Sequence, residues 1–200
     1  MKKLLLASAI AASFFASSAI AQVNNFTGFS AAANVSLSNA SVELAAAGDS
    51  FKLGDNSENF GLQAAYGVAL GTNFALSFGG TYSFGDLKAG TATVGAQTAT
   101  VKGKDVYSLY VEPGYLMGNS TLAFAKVGYI GLKGEISASG QTENETFNGV
   151  GYGAGIRTMV SKNLFVQAEI SRSDYSEKTI NGATVKPTAT SGIVGVGYKF

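Results

Sequence analysis

Between Gly149 and Ile156 every second residue is glycine: Gly149, Gly151, Gly153 and Gly155 alternate with Val150, Tyr152, Ala154 and Ile156. A period of two marks an extended strand, because successive side chains point to opposite faces of a sheet. One face here is nearly bare and the other is bulky. The same separation recurs along the chain. Phe60, Leu62, Ala64, Tyr66, Val68 and Leu70 oppose Gly61, Gln63, Ala65, Gly67 and Ala69; Phe74, Leu76, Phe78, Tyr82 and Phe84 oppose Ala75, Ser77, Gly79, Thr81 and Ser83. Further segments set Phe29, Ala31, Ala33, Val35 and Leu37 against Ser30, Ala32, Asn34 and Ser36, and Tyr107, Leu109, Val111, Pro113 and Tyr115 against Ser108, Tyr110, Glu112 and Gly114. Leu164, Val166, Ala168 and Ile170 oppose Gln167, Glu169 and Ser171, and Val194, Val196, Tyr198 and Phe200 oppose Ile193, Gly195, Gly197 and Lys199. Leu122 to Leu132 is apolar on both faces, and only Lys126 orients it.

Eight such segments can close into a barrel, and the question is which face lies inside. A secreted lipocalin-like barrel turns its bulky face inward. Eight strands enclose a space just wide enough for side chains, which suits Gly, Ala and Ser, whereas a glycine-rich face in water would weaken the strands for no gain. The bulky face is therefore expected to meet lipid. The segments match the roughly 9–11 residues that a tilted strand needs to cross a bilayer. Phe60, Tyr82, Phe84, Tyr107, Tyr115, Tyr129 and Tyr198 sit near segment ends, where aromatic girdles belong. The expected fold is all-β: an eight-stranded antiparallel transmembrane up-and-down barrel following a cleaved signal peptide.

The leader is read at residues 1–21: Lys2 and Lys3 precede an apolar run from Leu4 to Ala16, and Ala19-Ile20-Ala21 fits cleavage between Ala21 and Gln22. Residues 22–200 then form a single barrel domain. Of 14 basic residues, removing Lys2 and Lys3 leaves 12 against 13 acidic ones, so no basic excess favours nucleic acid. The chain lacks Cys, so the sheet rather than disulfides must stabilise it, and it lacks His, so neither a His-assisted nucleophile nor a His-bearing metal site can be built. A non-enzymatic protein without a cofactor is expected. Gly149-x-Gly151-x-Gly153-x-Gly155 lacks the βαβ context of a dinucleotide fingerprint, and Asp55-Asn56-Ser57-Glu58 lacks calcium-loop spacing.

Connections alternate in length. Gly71-Thr72-Asn73, Gly118-Asn119-Ser120 and Ser161-Lys162-Asn163 read as short periplasmic turns; the stretches near 39–58, 86–104, 133–147 and 174–187 read as long external loops, with Asn181-Gly182 a hairpin signal. Four charges fall on the small face of successive segments: Glu112, Lys126, Arg157 and Glu169. Pairing about Asn119 sets Glu112 opposite Lys126, and pairing about Asn163 sets Arg157 opposite Glu169. Buried charges must be paired, so a neutral plug of the lumen is expected, and partner exchange within it would make a switchable gate. Lys133 and Arg172 point toward lipid where their strands leave the membrane, as candidate contacts for lipopolysaccharide phosphates.

Three stretches resemble the eight-stranded outer-membrane β-barrel family, the OmpA/OmpX-like and opacity-like surface proteins: Tyr110-Val-Glu-Pro-Gly-Tyr115 with Leu122 to Tyr129, Gly153 to Arg157 with Leu164 to Glu169, and Gly195 to Phe200. The resemblance implies residence in the bacterial outer membrane among lipid and lipopolysaccharide. It also implies an assembly signal, Phe200, Tyr198, Val196 and Val194, read by periplasmic chaperones and the barrel assembly machinery. The family's roles include adhesion, host interaction, envelope integrity and slight pore activity. The reading is a surface or envelope protein that binds an extracellular ligand through its loops, with a small gated porin-like channel as the alternative.

Overall fold

A computed structural model describes residues 23–46, 49–94, 97–138, 141–180 and 183–200. The expected leader and its cleavage position, Ala21 and Gln22, lie outside the described residues, as does Asn181-Gly182. A short 3-10 turn, Val23–Phe26, precedes ten strands: β1 Gly28–Ala46, β2 Asp49–Ala69, β3 Phe74–Phe84, β4 Leu87–Val94, β5 Gln97–Met117, β6 Thr121–Ala138, β7 Gln141–Met159, β8 Leu164–Tyr175, β9 Lys178–Ile180 and β10 Ala183–Lys199. Eight of them make the barrel, in the order β1-β2-β3-β5-β6-β7-β8-β10. Antiparallel pairing of β1 with β10, from Ser30↔Lys199 to Ala45↔Thr184, closes it.

The small face lies inside. Gly61, Gln63, Ala65 and Gly67 are buried, while their neighbours Phe60, Leu62 and Tyr66 are about half exposed. The exposed bulky residues encircle the barrel, an arrangement that water would penalise and lipid does not. Rings edge this belt at both ends. Phe29 packs on Phe200 at 5.5 Å and Phe74 on Tyr115 at 5.0 Å near the short turns; Phe60–Phe84 at 6.1 Å, Tyr82–Phe84 at 5.0 Å and Tyr107–Tyr129 at 6.4 Å mark the opposite edge.

Among the described residues the long connections are mostly strand rather than loop. β1 and β2 stay paired to Ala46↔Asp49, and β6 and β7 to Ala138↔Gln141, so these stretches continue as strands past the aromatic edge. Alternation persists in them, with Ala40 and Val42 buried and Glu43 exposed, which gives the extensions an interior of their own. A polar composition alone concealed that periodicity. Among the described residues β4 pairs only with β5, and β9 only with β10. Beyond Phe60↔Phe84, β2 has no strand partner on its β3 side among the described residues; beyond Gly149↔Tyr175 the same holds for β7 on its β8 side. The closed barrel thus divides at its hairpin end into two four-stranded sheets, β9-β10-β1-β2 and β4-β5-β6-β7.

The interior has three layers. At the turn end Val23, Phe26, Ala75, Leu116 and Leu122 form an apolar cluster. The middle is polar. At the hairpin end Ala40, Val42, Val185 and Ala189 from one sheet pack with Leu87, Ala89, Leu132 and Phe147 from the other, together with Ile130 and Tyr175. The polar filling of the lumen is therefore confined to its central layer, with apolar side chains on either side of it. The β6 segment, ambiguous by pattern, points Leu122, Phe124, Ile130 and Leu132 inward alongside Lys126. Glycines accommodate these larger groups: a Cβ on Gly155 would come within 2.6 Å of the Phe124 ring, and one on Gly114 within 2.8 Å of Leu122.

Candidate functional site

The middle layer is built by period two. Glu112 on β5, Lys126 on β6, Arg157 on β7 and Glu169 on β8 all occupy lumen positions, and all but Lys126 are at least nine-tenths buried. Arg157 holds Glu112 with two nitrogens, Nη1 at 2.9 Å from Oε1 and Nη2 at 3.3 Å from Oε2. Lys126 lies 3.7 Å from the same carboxylate and donates to Glu169. Two carboxylates thus meet two cations, as burial demands.

The register on β5 and β6 has Val111 opposite Val127, which sets Glu112 across from Lys126. On β7 and β8 the register differs from the sequence expectation. Arg157 faces Gln167, and Gly155 faces Glu169. The turn is centred on Lys162 rather than Asn163, with Val160 and Ser161 both donating backbone N–H groups to the Leu164 carbonyl. Moving the centre by one residue shifts every partner by two, which preserves the face and changes the neighbour. Glu169 consequently pairs with Lys126, and Arg157 Nε donates to Gln167 Oε1 at 3.0 Å.

Amides extend the network across the lumen. Gln167 Nε2 donates to Asn34 Oδ1 and Gln63 Oε1, each at 2.9 Å, and Gln63 Nε2 donates to the Tyr110 hydroxyl at 2.7 Å. The Tyr110 ring returns the circuit to Lys126, whose Nζ lies 4.5 Å from its centroid. Arg157 lies 5.1 Å from the rings of both Phe124 and Phe165. Asn34, Gln63, Tyr110, Gln167 and the two phenylalanines were not singled out from sequence as members of the site. Their signal was their shared face with the charges; what sequence lacks is how far across the lumen a side chain reaches.

Above this circuit, toward the hairpins, lies a cavity of about 140 Å³. Lys126, Glu169 and Tyr110 floor it, hydroxyls including Ser38, Ser171 and Ser191 line its wall, and Leu87, Ile130 and Tyr175 roof it. It has room for several waters. The Asn59 Oδ1, buried against the same cavity, has no protein hydrogen-bond partner among the described residues.

Outside the barrel, beyond the aromatic edge, Lys133 Nζ donates to Asp105 at 2.8 Å, and Arg172 Nε to Asp174 at 3.0 Å. Asp105 also accepts from the Tyr82 hydroxyl at 2.8 Å and occupies a bulge with φ of 50°. The Lys133 ammonium, then the Tyr82 hydroxyl, hold the Asp105 carboxyl below its ordinary range. Glu135 bridges Lys104 at 2.6 Å and Lys102 at 3.3 Å and is likewise lowered, chiefly by the hydrogen bond from Lys104. At the carboxy terminus Val194, Val196, Tyr198 and Phe200 are exposed on the belt, and the Phe200 N–H donates to the Phe29 carbonyl at 2.9 Å.

The sequence profile of one family, described as outer membrane protein beta-barrel domain, matches residues 7–200. No curated protein matches the chain. Among solved structures, Neisserial surface protein A superposes with a TM-score of 0.55 at 12% identity, covering 87% of this chain and 98% of that one. The outer membrane protein OprG from Pseudomonas aeruginosa gives 0.53 at 12%, covering 87% and 96%. The outer membrane protease OmpT from Escherichia coli gives 0.52 at 10%, covering 86% and 96%. At these identities the likeness is one of fold.

Proposed function

The chain belongs to the outer membrane protein beta-barrel domain family and resides in the bacterial outer membrane, and from that premise we propose that it is a non-enzymatic surface protein that binds an extracellular partner with the two half-sheets beyond the lipid belt. The short turns and both termini then face the periplasm. The observation that carries this reading is the division of the barrel at its hairpin end. A free strand edge offers a row of unpaired N–H and C=O groups to which an extended segment can add. On β7, Asn148 accepts from the Ser176 N–H at 2.8 Å, so its backbone points to the β8 side. Alternation gives Thr146 and Asn144 the same direction, and no strand pairs with them there among the described residues. The Lys178–Glu145 ion pair at 3.0 Å bridges this opening.

Trimming the four hairpins is expected to abolish adhesion of displaying cells to a host-cell monolayer, while heat-modifiable gel migration stays that of an intact barrel. Thr146→Pro, which blocks strand addition at an edge without touching the interior, is expected to reduce adhesion as well. Adhesion that survives full trimming overturns the reading.

Lys133 and Arg172 are the proposed contacts for lipopolysaccharide phosphates. Their present partners are exposed carboxylates, and such pairs hold weakly enough to be exchanged for phosphate. Unchanged lipopolysaccharide affinity after neutralising both removes this contact. Phe200, Tyr198, Val196 and Val194 serve, in the same proposal, as the signal read by chaperones and the assembly machinery before β10 closes on β1.

A second reading, a low-conductance channel, is favoured by one arrangement: Lys126 touches both Glu112 and Glu169 and can shift its weight between them. Altered single-channel currents in Glu112→Ala, with the fold intact, support it; a silent bilayer for both wild type and variant does not.

A further inference from the structure

The 3-10 turn Val23–Phe26 is the one described element outside the sheet. It nevertheless supplies two of the five buried residues of the turn-end cluster. Val23 is fully buried and Phe26 nearly so, both against Ala75, Leu116 and Leu122, with Ala69 and Met159 alongside. That cluster lies between the turn-end mouth and the level of Glu112 and Lys126, since Leu116 lies four residues beyond Glu112 on β5 and Leu122 four residues before Lys126 on β6.

The attachments of the turn are local and few. The Asn25 side chain donates to the Asn119 carbonyl at 3.1 Å, the Lys199 ammonium reaches the Asn24 carbonyl, and Thr27 N–H returns to Asn24 at 3.4 Å. Gly28, with φ of +87°, joins the turn to β1 and permits the reversal that carries it into the mouth. The neighbouring strand is shaped to receive it: on lumen-facing Gly67 of β2, the cross-strand partner of Gly28, a Cβ would collide with the Phe26 carbonyl oxygen. That atom is backbone, so no side-chain rotation relieves the clash.

We propose that Val23–Phe26 is a withdrawable stopper that seals the turn-end mouth against water, so that closure of the lumen at this end resides in an apolar plug rather than in the charged circuit above it. An apolar constriction excludes water without any change of charge, and the stopper can leave by turning at Gly28 while every strand stays paired. The inference does not depend on whether the barrel conducts or binds a partner.

The absence of cysteine makes the test clean. A single Ala75→Cys places a thiol beneath the stopper, and a single Thr72→Cys places one on the exposed turn as a rate standard. Each mature protein is refolded into nanodiscs and exposed to a membrane-impermeant maleimide. The thiol at position 75 is expected to react at least about a hundredfold more slowly than the standard, because it is reached only when the stopper opens. Adding Gly67→Ala, or separately Val23→Asp, which buries an unpaired carboxylate, is expected to raise that rate at least about tenfold with barrel migration unchanged. Adding Glu112→Gln instead is expected to leave it unchanged. A thiol at 75 that reacts as fast as the standard in the unaltered stopper overturns the proposal. So does a rate that neither stopper variant raises, or one that Glu112→Gln raises as much as they do.

Discussion

At the level of Glu112 the lumen is held by partners, whereas at the level of Leu132 it is filled by volume. Both layers draw on β1, β6, β7 and β8 and use the same inward alternation, yet they respond to change by different rules. In the middle layer each group satisfies a named neighbour, and deleting one leaves another buried without compensation. At the hairpin end two facing sheets bury methyl groups and rings, where size decides and identity is negotiable. The middle layer fixes which strand positions stand together; the hairpin end stabilises whatever brings enough apolar surface.

The largest effect that would break this contrast is expected at Glu112. Glu112→Ala strands the Arg157 guanidinium and half of the Lys126 contact, and should lower unfolding free energy by about 3–5 kcal/mol in urea titrations of the reconstituted barrel. Leu132→Ala, in the apolar layer, should cost about 2–4 kcal/mol through its cavity. The contrast sharpens with conservative changes. Leu132→Met should cost less than about 1.5 kcal/mol, while Glu112→Gln, equally close in shape, should cost more than that because two cations remain facing a neutral amide. Equal costs for these two would erase the distinction between the layers.

The smallest effects are expected outside the lumen. Lys133→Ala should leave the unfolding midpoint in place, since the Asp105 pair it breaks is exposed. The Asp105 and Glu135 carboxyls are both held below their ordinary range. A depressed folded value contributes stability that is present above the unfolded value and is lost as pH falls through the folded one. Both pairs should therefore persist from neutrality to about pH 4 and release only at more acid pH. An NMR titration of the Asp105 carboxyl carbon checks this, and a midpoint at or above the ordinary value contradicts it.

Much of the barrel was legible because period two is short-range information. Gly149 to Ile156 announces its two faces without reference to any other strand, and placing those faces required only the size of an eight-stranded lumen. What could not be read were distances across space. The Arg157 partner depended on a turn centre displaced by one residue, from Asn163 to Lys162. The hairpin extensions were hidden because their outward residues are polar enough to resemble loops, while the inward alternation of Ala40 with Val42 is too slight to stand out. The stopper was illegible for another reason: Val23 and Phe26 gain meaning only from Gly67, 41 residues beyond Phe26 and on another strand.

The sharing of Lys126 between Glu112 and Glu169 has a consequence for how such a chain can change over generations. A lineage that reverses one of these three signs inherits an uncompensated charge, and reversing a single partner repairs only half of the error. The lysine can be exchanged only together with both acids, and Glu112 is further tied to the second cation, Arg157. The four positions should therefore travel as a unit of inheritance, drifting slowly while the apolar residues around Leu132 substitute one at a time.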